Sequence, residues 1–221
     1  MKSKSPPSTL ELKLRLILML AALERAGVSP VEINQLHAFA FFANVLSPLW
    51  NLDPLQGSVL KRKEGPYYRE LQDALDELIG MGAVDVITLD YRVVEDGARL
   101  AATVRIALRR VASVLSALKS MPDEIAAANF LGELAFIFAE IEPARAEEAV
   151  GADATYNAPT AAMDRVVDFA DYRRSSEADY SVRAAQRLQA YAPEGVTLSQ
   201  AEELVLYMRL MKRKAYAIGA R

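Results

Sequence analysis

The sequence predicts a mainly α fold, with three helices and a small β-wing in the first part of the chain and a helical bundle in the rest. Three observations carry this. Apolar residues recur every three or four positions over most of the chain, as on the buried stripe of a helix. Helix-start signals recur at Ser8, Ser29 and Thr197. Only two stretches, 56–63 and 83–94, read as strands, the second with the alternation of a half-buried hairpin.

Composition narrows the function classes. The 221 residues are 52% apolar and 25% charged, a globular balance with room for one large domain or two small ones. Net charge is −3; residues 1–110 hold 14 Lys+Arg against 13 Asp+Glu, and residues 111–221 hold 12 against 16. Neither half has the positive excess of a protein that grips phosphate backbone over its whole surface, so any nucleic-acid contact is local. The absence of cysteine removes disulfides, Cys-ligated zinc, iron–sulfur clusters and thiolate catalysis, and fits a cytoplasmic protein. Leu10–Leu23 is interrupted by Lys13 and Arg15 and is shorter than the roughly 20 apolar residues that cross a bilayer, so it reads as a buried helix and no membrane contact is expected.

Taken in order, residues 1–8 read as a flexible tail. Ser8 with Glu11 forms a capping-box spacing that starts a helix over 9–26, ended by Gly27. Ser29-Pro30-Val31-Glu32 caps a second helix, apolar nearly all round through Phe39, Phe41 and Phe42 and therefore enclosed on several sides. The only histidine, His37, lies inside it and reads as a packed residue rather than a ligand or base. A Pro-bounded loop then carries the only tryptophan, Trp50, as an anchor onto the core. Residues 56–63 make a short strand ending in Lys61-Arg62-Lys63, and Gly65-Pro66 opens a third helix at Tyr67 and Tyr68. The exposed face of that helix is acidic, with Glu70, Asp73, Asp76 and Glu77 against Arg69, which disfavours a place in the major groove. A hairpin over 83–94 completes a winged helix-turn-helix over residues 9–97.

The run Gly65-Pro66-Tyr67-Tyr68-Arg69-Glu70-Leu71, with Leu78-Ile79, Gly82-Ala83-Val84 and Val93-Val94-Glu95-Asp96-Gly97, resembles a pattern shared by Panacea-type antitoxin domains. It also resembles the winged-helix middle components of bacterial ABC three-component conflict systems, Lamassu-type phage defence among them. The resemblance covers roughly residues 10–97 and departs from the pattern at Val94, where a hydroxyl residue is usual. It implies neutralising or tethering a toxic effector or, for the middle components, joining an SMC-like ATPase to that effector. The helical second half, beyond what an antitoxin domain alone would need, favours the middle component.

Residues 98–221 read as a helical domain. A long helix over 98–120 carries Leu100, Val104, Leu108, Val111, Leu115 and Leu118 on one stripe, with Arg105 and Arg109 one turn apart elsewhere. A helix from Met121 to about Ile141 has the broad apolar face of a central bundle member. Residues 143–160 lack periodicity and read as a flexible connection. Helices follow from Thr160 through Ala170 and around Tyr180–Tyr191, and a last one opens at Thr197–Gln200. Its Leu204, Met208, Met211, Ala215 and Ile218 form a seam for another helix, in this chain or in a partner.

No phosphate loop, nucleophile elbow or His pair is present, and no catalytic, cofactor-binding or metal-binding residue and no small-molecule substrate is predicted. Lys61, Arg62, Lys63, Arg105 and Arg109 are the candidate phosphate contacts. Tyr67, Tyr68, Leu204, Met208, Met211 and Ile218 are the candidate partner contacts. The expected role is a non-enzymatic adapter joining an SMC/ABC-type ATPase to an effector, expected to be a nuclease, in antiphage defence. The alternative is a winged-helix DNA-binding regulator, or an antitoxin that neutralises a partner toxin.

Overall fold

The chain is mainly helical, with two small sheets among the described residues. A computed structural model describes residues 8–54, 58–62, 65–94, 97–158, 166–168 and 180–218. The expected tail over 1–7 lies outside them.

Helix α1 (Thr9–Arg25) starts where the Ser8 hydroxyl accepts the Glu11 N–H at 3.2 Å. Strand β1 (Val31–Glu32) precedes α2 (Ile33–Leu46), so the helix expected to open at Pro30 begins three residues later. The reason is pairing: Val31 and Glu32 stand opposite Val104 and Thr103, and that ladder outcompetes the first helical turn. Twelve of the fourteen residues of α2 are buried, which leaves no solvent face and requires a wall on every side. Phe39 and Phe42 meet the Phe138 ring edge-on, and Phe41 meets Tyr156, with centroids 5.3–6.3 Å apart.

A single 3₁₀ turn, Ser47–Trp50, leads out of α2, and the Trp50 ring packs 5.9 Å from Phe130. Strands β2 (Ser58–Arg62) and β3 (Gly65–Tyr67) form a tight antiparallel pair, and α3 runs from Arg69 to Gly80. Gly65-Pro66 therefore closes a hairpin and does not open the helix. Gly65 adopts φ +106°, open to glycine alone, and Pro66 sits on an edge strand, where its missing N–H costs little.

Strands β4 (Val84–Val94) and β5 (Gly97–Ile106) make a long hairpin, and the first sheet runs β1-β5-β4. The helix expected over 98–120 is corrected: residues 97–106 are strand, and α4 spans only Leu108–Leu118. Burial alternates from Ala102 to Ile106, with Ala102, Val104 and Ile106 inward and Arg105 outward, which is period two and not 3.6. The boundary placed after residue 97 thus falls at the far end of this hairpin.

Helix α5 (Pro122–Phe138) packs against α1 and α2, and α6 (Ala146–Gly151) follows a 3₁₀ turn at Pro143–Arg145. Residues 166–168 form β6, antiparallel to β2, where a helix was expected; the rest of that expected helix lies outside the described residues. The chain closes with α7 (Tyr180–Gln186), a 3₁₀ turn Arg187–Tyr191, and α8 (Gln200–Ile218). Ser199 and Glu202 make a reciprocal capping box at the start of α8, which holds the Glu202 carboxyl below its usual range.

One hydrophobic core runs from Leu12 to Ala215 and includes Leu204, Met208 and Met211. The seam of α8 is therefore internal, packed toward α5, α6 and α7, and those three residues are not available to a partner. The Ile218 side chain lies outside the described set. Leu204→Asp and Met211→Asp are accordingly expected to destabilise the fold by about 3 kcal/mol or more, each burying an unpaired charge. Chemical denaturation of both variants checks this; midpoints close to wild type would place the seam at the surface.

Candidate functional site

The segment expected to be a flexible connection holds the most densely hydrogen-bonded side chain among the described residues. Asp153, fully buried, accepts the N–H groups of Thr155 (2.7 Å) and Tyr156 (3.0 Å), the Ser181 hydroxyl (2.9 Å) and the Tyr207 hydroxyl (2.7 Å). The Thr155 hydroxyl also accepts the Ser181 N–H at 3.1 Å. Residues 153–156 are thereby fixed to α7 and α8, which corrects the flexible reading over 143–158; residues 159–160 lie outside the described set. Burial pushes the Asp153 carboxyl up, and the hydrogen bonds from Tyr207, Tyr156, Ser181 and Thr155 oppose that shift without cancelling it. Burial also raises the Tyr207 hydroxyl, with the Asp153 charge adding to it.

Tyr156 carries the connection onward to the stretch predicted to touch phosphate. Its carbonyl accepts the Lys61 ammonium, its ring lies 4.6 Å from that ammonium, and its hydroxyl donates to the Arg62 carbonyl at 3.0 Å. Lys61 is buried, and burial lowers its pKa. It is a structural cation and not a phosphate contact. The Arg62 guanidinium stacks 3.6 Å over the Tyr67 ring, and Lys63 lies outside the described residues.

Tyr67 in turn packs 4.9 Å from His37, and Tyr68, expected to meet a partner, is fully buried. His37 Nδ1 accepts the Tyr68 N–H at 3.2 Å, which puts the ring proton on Nε2, where it donates to Gln72 Oε1 at 3.3 Å. Burial lowers the imidazole pKa to about 4, so the ring is neutral at physiological pH. From α8 through Asp153, Tyr156, Lys61, Arg62, Tyr67 and His37 to α3, one line of polar and aromatic contacts ties the end of the chain to its beginning. It holds these groups in place, with Arg62 and Tyr67 only half-buried.

Arg105 and Arg109 are exposed, but not as a helical pair. Arg105 lies on β5 opposite Asp85, Arg109 lies in the first turn of α4, and Lys61 and Arg62 belong to the other sheet. Beside them Arg110 donates to the Gly82 carbonyl at 2.9 Å; Gly82 has φ +70°, and a Cβ there would collide with that guanidinium. The structure does not gather the predicted cations into one patch.

The surface that sequence reasoning missed is the β4–β5 ribbon. Its inward face buries Val84, Val104 and Ile106 and then continues past the edge of the core. Leu89 stands opposite Ala102, Tyr91 opposite Leu100 and Val93 opposite Ala98, so every register position on that face is apolar. Leu89 is 60% exposed and Tyr91 79%, with Val86 and Ile87 nearly half exposed. Alternation from Leu89 to Val93 and, broken only at Ala101, from Ala98 to Ile106 was the available signal.

No family model, curated protein or solved structure matches the chain. Among the described residues, no group of three or more His, Asp or Glu is placed to hold a metal ion, and no helix is long and apolar enough to cross a membrane.

The sole imidazole offers a direct check on the packing around α2. Because folding lowers its pKa from 6.5 to about 4, the unfolded chain binds the extra proton between those values. The stability contributed by neutral burial is intact above pH 6.5 and is lost as pH falls toward 4, roughly 3 kcal/mol in all. A proton NMR titration is expected to show the His37 ring neutral down to about pH 4 or to the onset of acid unfolding. A midpoint near 6.5 in the folded protein would contradict the packing.

Proposed function

We propose that this chain is a non-enzymatic adapter built on a winged helix, and that the β4–β5 ribbon is its partner-binding arm. The winged-helix reading is supported by element order, α1-β1-α2-β2-β3-α3-β4-β5, in which the β2–β3 hairpin is inserted before the third helix, and by the sheet order β1-β5-β4, in which the strand after the first helix closes the hairpin that follows the third. The observation that carries the adapter reading is the apolar overhang of Leu89 and Tyr91 beyond the core. Such a face in water is stabilised by a partner that covers it. The resemblance over residues 10–97 supports the choice of partners, an SMC/ABC-type ATPase and an effector, expected to be a nuclease, in a cytoplasmic bacterial antiphage complex.

A second reading, a DNA-binding regulator or antitoxin, is favoured by the exposed Arg105 and Arg109 at the base of the ribbon. Against the regulator stands α3, whose solvent face presents Glu70, Asp73, Asp76 and Glu77, groups that phosphates repel.

Co-expression with the products of neighbouring genes separates these readings. The wild-type chain is expected to co-purify with both ATPase and effector. Leu89→Asp and Tyr91→Asp should lower recovery at least tenfold while circular dichroism shows the fold retained, because both side chains lie outside the core. Full recovery with either variant would remove the ribbon as the contact. A single toxic partner would favour the antitoxin. Duplex binding by the isolated chain, falling steeply with salt, would favour the regulator.

A further inference from the structure

We propose that two copies of this chain pair through the outer edge of β4, antiparallel and centred on Tyr91, to make one continuous sheet. Strand β4 is the last strand of its sheet, and among the described residues nothing pairs with its outer side. Its eleven residues contain no proline, and a strand edge of that length leaves a row of unpaired backbone donors and acceptors. Native proteins blunt such edges with bulges, and β4 has one: the register shifts between Val86 and Thr88. The protection stops there. From Thr88 to Val94 the pairing to β5 is regular, and the strand ends at Val94.

That regular segment runs seven residues, and Tyr91 is its centre. Antiparallel pairing of the whole segment with its copy puts Tyr91 opposite Tyr91, Asp90 opposite Arg92 of the second copy, Leu89 opposite Val93 and Thr88 opposite Val94. Opposite charges therefore face each other twice and apolar positions twice, about an aromatic pair on the two-fold axis. Cross-strand pairs of these kinds are the stabilising ones, and no like charges stand directly opposite each other. A strand that is self-complementary about its own midpoint fits a second copy of itself better than an unrelated edge. The resulting order, β1-β5-β4 continued by β4-β5-β1, places the apolar faces of both ribbons side by side and leaves them uncovered for other partners. This inference does not depend on the adapter reading, and it is tested on the purified chain alone, so failure of one leaves the other standing.

The absence of cysteine makes single-cysteine variants unambiguous. At the centre of such a pair the two Cα atoms lie about 4.5–5.5 Å apart, within disulfide range, whereas two copies of position 89 lie about 14 Å apart. On mild oxidation of the full chain, Tyr91→Cys is expected to give at least ten times more disulfide-linked dimer than Leu89→Cys. Light scattering on the unmodified chain should give the mass of a dimer. Asp90→Arg should shift it to monomer, and adding Arg92→Asp should restore the dimer. A monomeric wild type, equal cross-linking at positions 89 and 91, or a dimer unaffected by Asp90→Arg would each overturn the proposal.

Discussion

The fold depends on one buried carboxylate. Asp153 has no counter-charge among its hydrogen-bond partners; it is held by two backbone N–H groups and by the hydroxyls of Ser181 and Tyr207, so each donor lost would leave charge uncompensated in the core. That constraint fixes the turn after α6 against α7 and α8. The turn in turn presents Tyr156 to β2 and to Phe41 of α2. A helix buried on all sides needs walls from distant parts of the sequence, and this clasp is how the last part of the chain reaches the first.

The same arrangement changes the meaning of Lys61–Tyr68. As sequence, a basic run leading into a tyrosine pair suggests a surface for phosphate or protein. In the structure Lys61 and Tyr68 are buried, Arg62 stacks on Tyr67, and Gly65 lies against Glu147 of α6. The stretch is a mortise between the two halves of the chain. The apolar surface left exposed lies instead on the ribbon, whose inward face outruns the core it covers.

What was legible followed from local periodicity. Helices α1, α2, α5 and α8, the packed histidine and the anchoring tryptophan show in apolar spacing, because those stripes are long; α1 starts at its predicted cap, whereas α2 opens three residues after Pro30 and α8 is capped by Ser199 and Glu202. Strand β5 was not legible, because Leu100, Val104 and Leu108 also fit a helical stripe and the alternation that decides the matter is carried partly by alanines. Asp153 escaped because its partners lie 28 and 54 residues away in sequence, at Ser181 and Tyr207, and a lone Asp in an Ala/Gly-rich segment looks like a solvated loop. The α8 seam was correctly seen as a seam; whether it faced inward was set by α5 and α6, and no local pattern encodes that.

If the clasp unites the two ends of the chain around α2, they should open together. Native-state hydrogen exchange measures this most directly, by comparing amides of Phe39–Phe42 with those of Tyr207–Met211. The same opening free energy for both sets, equal to that of global unfolding, is the expected result. A last helix that opens at a much lower free energy than α2 would contradict it, and would make the C-terminal part an appended unit rather than a wall of the core.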